Sequence, residues 1–338
     1  MLKIEDITTL QLDITSLCNA VCVFCCRTSS HVNKDGSVEL SVNKNLPLKS
    51  MEFDVYKAVF SEFNLFRLKS LKFIEFIPTY GDPLMVPNII DFVSYINGIN
   101  NNLDISMHTN GSMRTPEFYA NLANTMSQCR SSSLVFSIDG LEDTNHRYRK
   151  GVDYKKVMKN AAAFIQAGGN AVWKAVEFEM NQHQMKEMEE TSVKMGFSKF
   201  WATPNRGGGE LTLALQEATY SLKKPEFTPP NRTILGAPFS YQGNNIKCPW
   251  HQNKTRVSIF IDMDGRVWPC CFYANSQYLR NAKSEEISKI FNTYESNFNN
   301  IMYHSLDEIL NNDFFTALSN SNYSSIICNT TCSGKRFS

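Results

Sequence analysis

No run of about 18 apolar residues occurs anywhere in the 338-residue chain, so no membrane-crossing helix is expected. Neither sign of charge dominates: 34 Lys and Arg meet 33 Asp and Glu, a net charge of +1. That balance offers no global field to a polyanion and argues against a dedicated nucleic-acid binder. The opening residues Met1-Leu2-Lys3-Ile4-Glu5-Asp6 lack the basic-then-apolar plan of a secretory signal, and a cytoplasmic location is expected. Internal repeats and low-complexity tracts are absent as well.

Against these absences stand ten cysteines. A reducing compartment disfavours structural disulfides, so clustered cysteines there read first as metal ligands or reactive thiols. Cys18, Cys22, Cys25 and Cys26 lie near the start, Cys248, Cys270 and Cys271 late, Cys328 and Cys332 at the end. Cys129 stands alone, and it and Cys26 read as small packing residues.

Hydrophobic spacing predicts strands near 10–14, 73–77, 104–109, 134–138, 172–180 and 200–202. It predicts helices near 53–66, 87–99, 116–126, 153–167 and 184–195, and a polar loop over 27–50. Six strands alternating with helices imply an α/β fold with a parallel sheet, whose chemistry gathers at the C-terminal strand ends. Cys18, Gly81-Asp82, Asn110 and Asp139 follow the first four strands in that order. After 206 the alternation stops. A Pro-rich linker is expected over 206–243, then a small α+β unit over 244–338. In that unit a hairpin turns at Asp264-Gly265 and a helix capped by Ser305 runs to Leu318.

Cys18-x3-Cys22-x2-Cys25 offers three thiolates, where a cubane iron–sulfur cluster normally takes four. One iron would stay open to another molecule. A zinc knuckle completed by Cys26 or His31 is the competing reading. The loop, with Phe24 before its third cysteine, resembles the signature of the radical S-adenosylmethionine (radical SAM) superfamily. Tyr80-Gly81-Asp82-Pro83 is similar to that family's Gly-Gly-Glu-Pro turn, with Tyr80 for the first Gly and Asp82 for the Glu. Thr109-Asn110-Gly111 resembles another of its turns. Ser137-Ile138-Asp139-Gly140-Leu141 and Tyr148-Arg149-Lys150-Gly151 resemble the branch with SPASM or twitch C-terminal domains.

The resemblance implies a partial (β/α)6 TIM-like barrel over 1–205, in which a [4Fe-4S] cluster on Cys18, Cys22 and Cys25 binds SAM. Reductive cleavage of SAM would yield a 5′-deoxyadenosyl radical that abstracts a substrate hydrogen. It assigns Ser137 and Arg149 to the SAM carboxylate and Asp139 to the ribose. Phe24 and Met180 would pack on adenine, and Tyr80, Gly81, Asp82 and Asn110 would line the same site. In the tail, Cys248, Cys270, Cys328 and Cys332 would close an auxiliary [4Fe-4S] cluster, one cluster because only five tail cysteines are present. A four-thiolate zinc site is the alternative there. Cys271 is an alternative ligand in place of Cys270, a free thiol or, like Cys26, a candidate hydrogen donor. The implied substrates are a ribosomally made peptide, oxidised, crosslinked or epimerised, or a small polar molecule such as an amino sugar. Flavodoxin or ferredoxin would supply the electron. No leader-binding domain fits ahead of Cys18, so a peptide substrate would call for a separate leader-binding protein.

Overall fold

The computed structural model describes residues 2–23, 25–34, 38–204, 212–215, 218–221, 248, 256–278, 282–320 and 325–332. Its strands are β1 (Thr9–Leu12), β2 (Thr28–Val32), β3 (Val38–Val42), β4 (Phe73–Phe76), β5 (Asp104–Thr109), β6 (Ser131–Ser137), β7 (Ala171–Glu177), β8 (Lys199–Pro204), β9 (Thr212–Leu215), β10 (Ala218–Ser221), β11 (Ser258–Ile261) and β12 (Val267–Trp268). Its helices are α1 (Phe53–Val59), α2 (Glu62–Arg67), α3 (Ile89–Ile99), α4 (Pro116–Met126), α5 (Asn145–Tyr148), α6 (Tyr154–Gln166), α7 (Met185–Met195), α8 (Cys271–Ser276), α9 (Ala282–Tyr294), α10 (Leu306–Leu310), α11 (Asp313–Asn320) and α12 (Ile326–Cys332).

The main sheet runs β12-β11-β1-β4-β5-β6-β7-β8. From β1 to β8 every neighbour is parallel, as in the expected partial barrel. Alternation divides its faces. Leu10, Leu12, Ile74, Phe76, Ile105, Met107, Leu134, Phe136, Trp173 and Ala175 are buried in the apolar core with α1, α3, α4 and α6. The opposite face carries Gln11, Glu75, Ser106, His108, Ser133, Ser137, Lys174 and Trp201, all half-buried.

Several local expectations are corrected. The helix expected over 53–66 is two helices, because Asn64 turns the chain back. Its Nδ2 donates to the Ala58 and Val59 carbonyls at 3.0 and 3.3 Å, while its own N–H reaches the Ser61 hydroxyl that caps α2. Ser305 caps as expected, in a reciprocal capping box with Glu308. That helix also divides, at Asn312, whose Oδ1 accepts from Phe315 N at 3.0 Å. β7 stops at Glu177 rather than Met180, because Asn181 takes the backbone groups of Phe178 and Val176. Within the loop expected at 27–50, β2 and β3 form an antiparallel hairpin. Within the stretch expected as a linker, β9 and β10 pair, and β9 meets β3 at Leu215 and Val38. The Pro-rich part, 223–238, lies outside the described residues.

Among the described residues, the tail forms no sheet of its own. β11 pairs in parallel with β1, Thr9 opposite Ser258 and Leu12 opposite Ile261, and the β11–β12 hairpin prolongs the barrel sheet. Asp262 shapes its turn. The buried carboxylate accepts from the N–H groups of Asp264 and Arg266 at 3.0 and 3.1 Å and from Trp268 Nε1 at 2.9 Å.

Candidate active site at the strand ends

The loop after β1 is fastened on three sides. Val21 N and Val23 N donate to the carbonyls of Lys150 and Tyr148, both at 3.0 Å, so Cys22 lies against the backbone on either side of Arg149. Gly151 takes a positive φ of 86°, and a Cβ there would stand 2.9 Å from the Asn19 carbonyl oxygen. The buried Arg27 donates from inside the loop to the carbonyls of Ser16 and Ala20, at 2.8 and 3.0 Å. The third fastening is Gly81. A Cβ on it would stand 2.4 Å from the Leu17 oxygen and 2.5 Å from the Thr15 oxygen, so only glycine lets the turn after β4 lie on the cysteine loop.

Each expected residue has a definite place. Asn110 donates to Asn19 Oδ1 at 2.8 Å and points Nδ2 at Cys18 Sγ, 3.6 Å away. Asp82 is buried and its carboxylate binds the chain itself. It accepts from Leu84 N at 3.0 Å, Asn110 N at 2.7 Å and the Thr109 hydroxyl at 2.9 Å. Burial pushes its pKa up, while these donors act against that shift. It thus braces the ends of β4 and β5 together. Tyr80 is buried, its N–H on Asp13 Oδ2 at 2.9 Å and its ring edge-on to Tyr278 at 5.2 Å.

The half-buried Arg149 and the buried Asp139 meet as an ion pair, Nε to Oδ2 2.7 Å. Asp139 Oδ1 also accepts from Val176 N at 2.6 Å. Ser137 ends β6 opposite Lys174. Met180 packs with Val23, Phe178 and Tyr148, between the cysteine loop and the end of β7. Phe24 lies outside the described residues. Arg27, Asn19 and Asn181 escaped the sequence reading. Polar residues just past strand ends were the available signal, but which backbone groups they would reach has no local signature.

The three thiols suit a cluster. Burial pushes Cys18 up to about 11 and Cys22 up to about 12, so a metal held there would have to drive their ionisation, whereas a hydrogen bond with Cys26 pulls Cys25 down to about 6. Among the described residues no three His, Cys, Asp or Glu side chains converge on one ion position. Cubane ligands need not converge, since each thiolate binds its own iron. Of the alternative zinc ligands, Cys26 stays within hydrogen-bond reach of the Cys25 thiol. Cys26 donates to the Thr79 carbonyl, and His31 is exposed on β2. Cys129 is buried against Asn97.

In the tail, Cys270 is buried at the start of α8 and Cys328 on α12. Cys248 and Cys271 lie close enough to affect the Cys270 thiol electrostatically. The Tyr273 hydroxyl stands 3.8 Å from Cys328 Sγ. Cys332 ends α12, and its side chain is outside the described residues.

Comparisons with known proteins bear on both sites. Residues 12–179 match the model of the radical SAM superfamily, and residues 248–333 match that of the SPASM iron–sulfur cluster-binding domain. No curated protein matches the sequence significantly. Streptococcus suis SuiB bound to S-adenosylmethionine superposes with a TM-score of 0.51 at 12% identity, over 84% of this chain and 65% of SuiB. The chain therefore spans about two-thirds of that relative. Native anSMEcpe with bound AdoMet gives 0.54 at 16% identity, over 97% of this chain and 88% of that one. At such identities the likeness shows the fold. With both family models matched in order along the chain, the protein belongs to the radical SAM superfamily, in the branch with a SPASM-type C-terminal domain, and uses SAM and iron–sulfur clusters.

Proposed function

We propose that this enzyme oxidatively modifies a ribosomally made peptide. The observation that carries the reading is the backbone seam between Val21–Val23 and Tyr148–Lys150. It joins a three-thiol loop to the Arg149–Asp139 ion pair at one rim of the barrel. In this reading Cys18, Cys22 and Cys25 hold the cluster that binds SAM, and Arg149 and Ser137 take the SAM carboxylate. Asp139 keeps Arg149 charged and aimed, and is itself fixed by Val176 N. Gly81 and Asn110 line the wall on which the amino group lies, and Asp82 positions both. Met180 and Phe24 pack on adenine. Bound SAM, given one electron by a donor such as flavodoxin or ferredoxin, supplies an alkyl radical able to abstract a hydrogen atom.

Removing one hydrogen atom leaves a substrate radical, and a closed-shell product needs a second electron and a proton to leave. Cys248, Cys270, Cys328 and Cys332 would hold an acceptor whose irons are all thiolate-bound. Peptide is favoured over a small polar molecule because SuiB binds the precursor peptide SuiA and anSMEcpe binds the Cp18Cys peptide.

Product mass after turnover with the peptide substrate decides the reaction. Loss of two hydrogens is expected. An unchanged mass with one solvent deuterium gained, abolished in Cys271→Ala, would instead mark an epimerase using Cys271 as hydrogen donor.

A further inference from the structure

The main sheet ends differently at its two sides. At β12 the outer edge is sealed: Val267 N donates to the Asn299 carbonyl at 2.7 Å, and Asn299 Nδ2 donates to the Val267 carbonyl at 2.9 Å. At β8 the strand order stops, and among the described residues nothing pairs with the outer edge. An unpaired edge is a row of free N–H and C=O groups, a template for another strand.

Which groups of β8 face outward follows from the other strands. Side chains alternate between the two faces, and backbone groups alternate between the two edges in step with them. Asp104 shares the open face of β5 with Ser106 and His108, and it turns its N–H back to the Lys72 carbonyl at the start of β4, 2.8 Å away. Leu134 and Ile138 lie on the helix face of the β6 segment. They turn their N–H groups onward to the Asn170 and Lys174 carbonyls, at 3.0 and 2.9 Å. β8 runs parallel to these strands, so its open-face residues Lys199, Trp201 and Thr203 bond back to β7. Phe200 and Ala202, on the helix face, present N–H and C=O to the outer edge. Pro204 has the same parity, so its missing N–H falls on that edge and costs no bond to β7, the position where a sheet tolerates proline. Phe200 and Ala202 are half-buried, whereas their register partners Trp173 and Ala175 are fully buried. A second signal stands beside these groups. The Trp201 indole Nε1 is buried and has no acceptor among the described residues. Buried donors are normally bonded, so an oxygen belongs there.

We propose that an extended stretch of the substrate peptide adds to β8 as a further strand, bonding through its backbone to Phe200 and Ala202 and offering an oxygen to the Trp201 indole N–H. Backbone pairing of this kind supplies affinity, and the side chains that alternate along the added strand supply specificity. At about 3.3 Å per residue, the run from Phe200 to Pro204 takes about four peptide residues. The residue opposite Trp201 turns its side chain to the open face, in the row that reaches Ser137 on β6. The proposal rests on the peptide reading above and adds to it how the peptide is held.

Three synthetic probes test it: Ac-Ser-Val-Ser-Val-Ser-NH2, the same pentapeptide N-methylated at both valines, and the same N-methylated at all three serines. An added strand turns the N–H groups of one set to β8 and those of the other set away, so only one methylated form should lose binding. Binding to the reconstituted, SAM-bound enzyme is followed by ligand-observed NMR titration. A loss of about tenfold or more is expected for one methylated probe and of less than about twofold for the other. With the serine hydroxyls on the Trp201 side, loss on methylating the serines marks a parallel added strand, and loss on methylating the valines an antiparallel one. Ala202→Pro removes an outward N–H and leaves the bonds to β7, so it should weaken the unmethylated probe by a similar factor. Trp201→Phe should weaken that probe several-fold while the difference between the methylated forms persists. Iron content and thermal midpoint check that each variant is folded. In the unaltered enzyme, isotope-labelled alanine reports the same event: the Ala202 N–H should shift and exchange more slowly with the unmethylated probe present. Equal or undetectable binding of the three probes overturns the proposal, as does probe binding that leaves the Ala202 N–H unmoved. Product mass judges the peptide reading and probe binding judges the strand pairing, so either can fall alone.

Discussion

The two cysteine-bearing regions are held by different physics. The loop around Cys18, Cys22 and Cys25 is fixed by directional bonds from neighbouring backbone: the seam to Tyr148 and Lys150, the two Arg27 bonds, and the close approach of Gly81. In the tail, Cys271, Cys328 and Cys332 sit on short helices and Cys270 caps one, and these helices are wedged by rings. Trp268, Tyr273, Phe291, Phe298 and Phe314 meet edge-on at centroid distances from 5.3 to 6.4 Å. Hydrogen bonds fix spacing and direction, whereas apolar packing fixes volume and tolerates small shifts. A cluster that must keep one iron open to SAM needs a loop already shaped. A cluster closed by four thiolates supplies cross-links of its own.

Gly81→Ala should break this contrast hardest. The added methyl would meet two backbone carbonyls, which cannot rotate away as a side chain could. A loss of about 3 kcal/mol is expected, with iron lost from the first site and kept in the tail. Urea unfolding and iron per chain check both, and full iron with an unchanged midpoint would refute the close approach. Arg27→Met comes next, at about 2 kcal/mol, because it strands the buried Ser16 and Ala20 carbonyls. A lowered melting midpoint with weaker SAM binding is the expected result. Tyr273→Phe should be mildest, about 1 kcal/mol, since it removes only the hydroxyl's bond to Ser325 Oγ at 2.7 Å and its weaker contact with Cys328 Sγ at 3.8 Å. Its effect should stay in the tail. If it emptied the first site as well, the two regions would not be separately held.

Legibility followed the range of the interactions. The alternation of strand and helix was readable because side-chain period is local, and the residues after β1, β4, β5 and β6 were placed correctly for that reason. The β2–β3 hairpin was missed because Thr28-Ser29-Ser30-His31-Val32 is too polar to show alternation. Pairing of β11 with β1 was missed because nothing in either strand names its neighbour. Asp82 was read by resemblance as a SAM contact. Its bonds to Thr109 and Asn110, 27 and 28 residues away, depend on two strand ends lying side by side, which only the assembled sheet provides. Arg149 was singled out by its motif, but its pairing with Asp139 needed coordinates.

The seat of β11 beside β1 has a consequence for how the chain is made. Thr8 and Val257, which bond to each other at the base of that pair, are 249 residues apart. During synthesis β1 therefore emerges among the first elements and waits with one edge bare until the tail arrives. Unpaired edges invite mispairing, and long-range parallel pairing is slow. The strand that carries the cysteine loop is thus completed by nearly the last part of the barrel sheet to be synthesised. The cysteine loop after β1 thus rests on a strand whose second edge closes only when the segment matching the SPASM domain has been made.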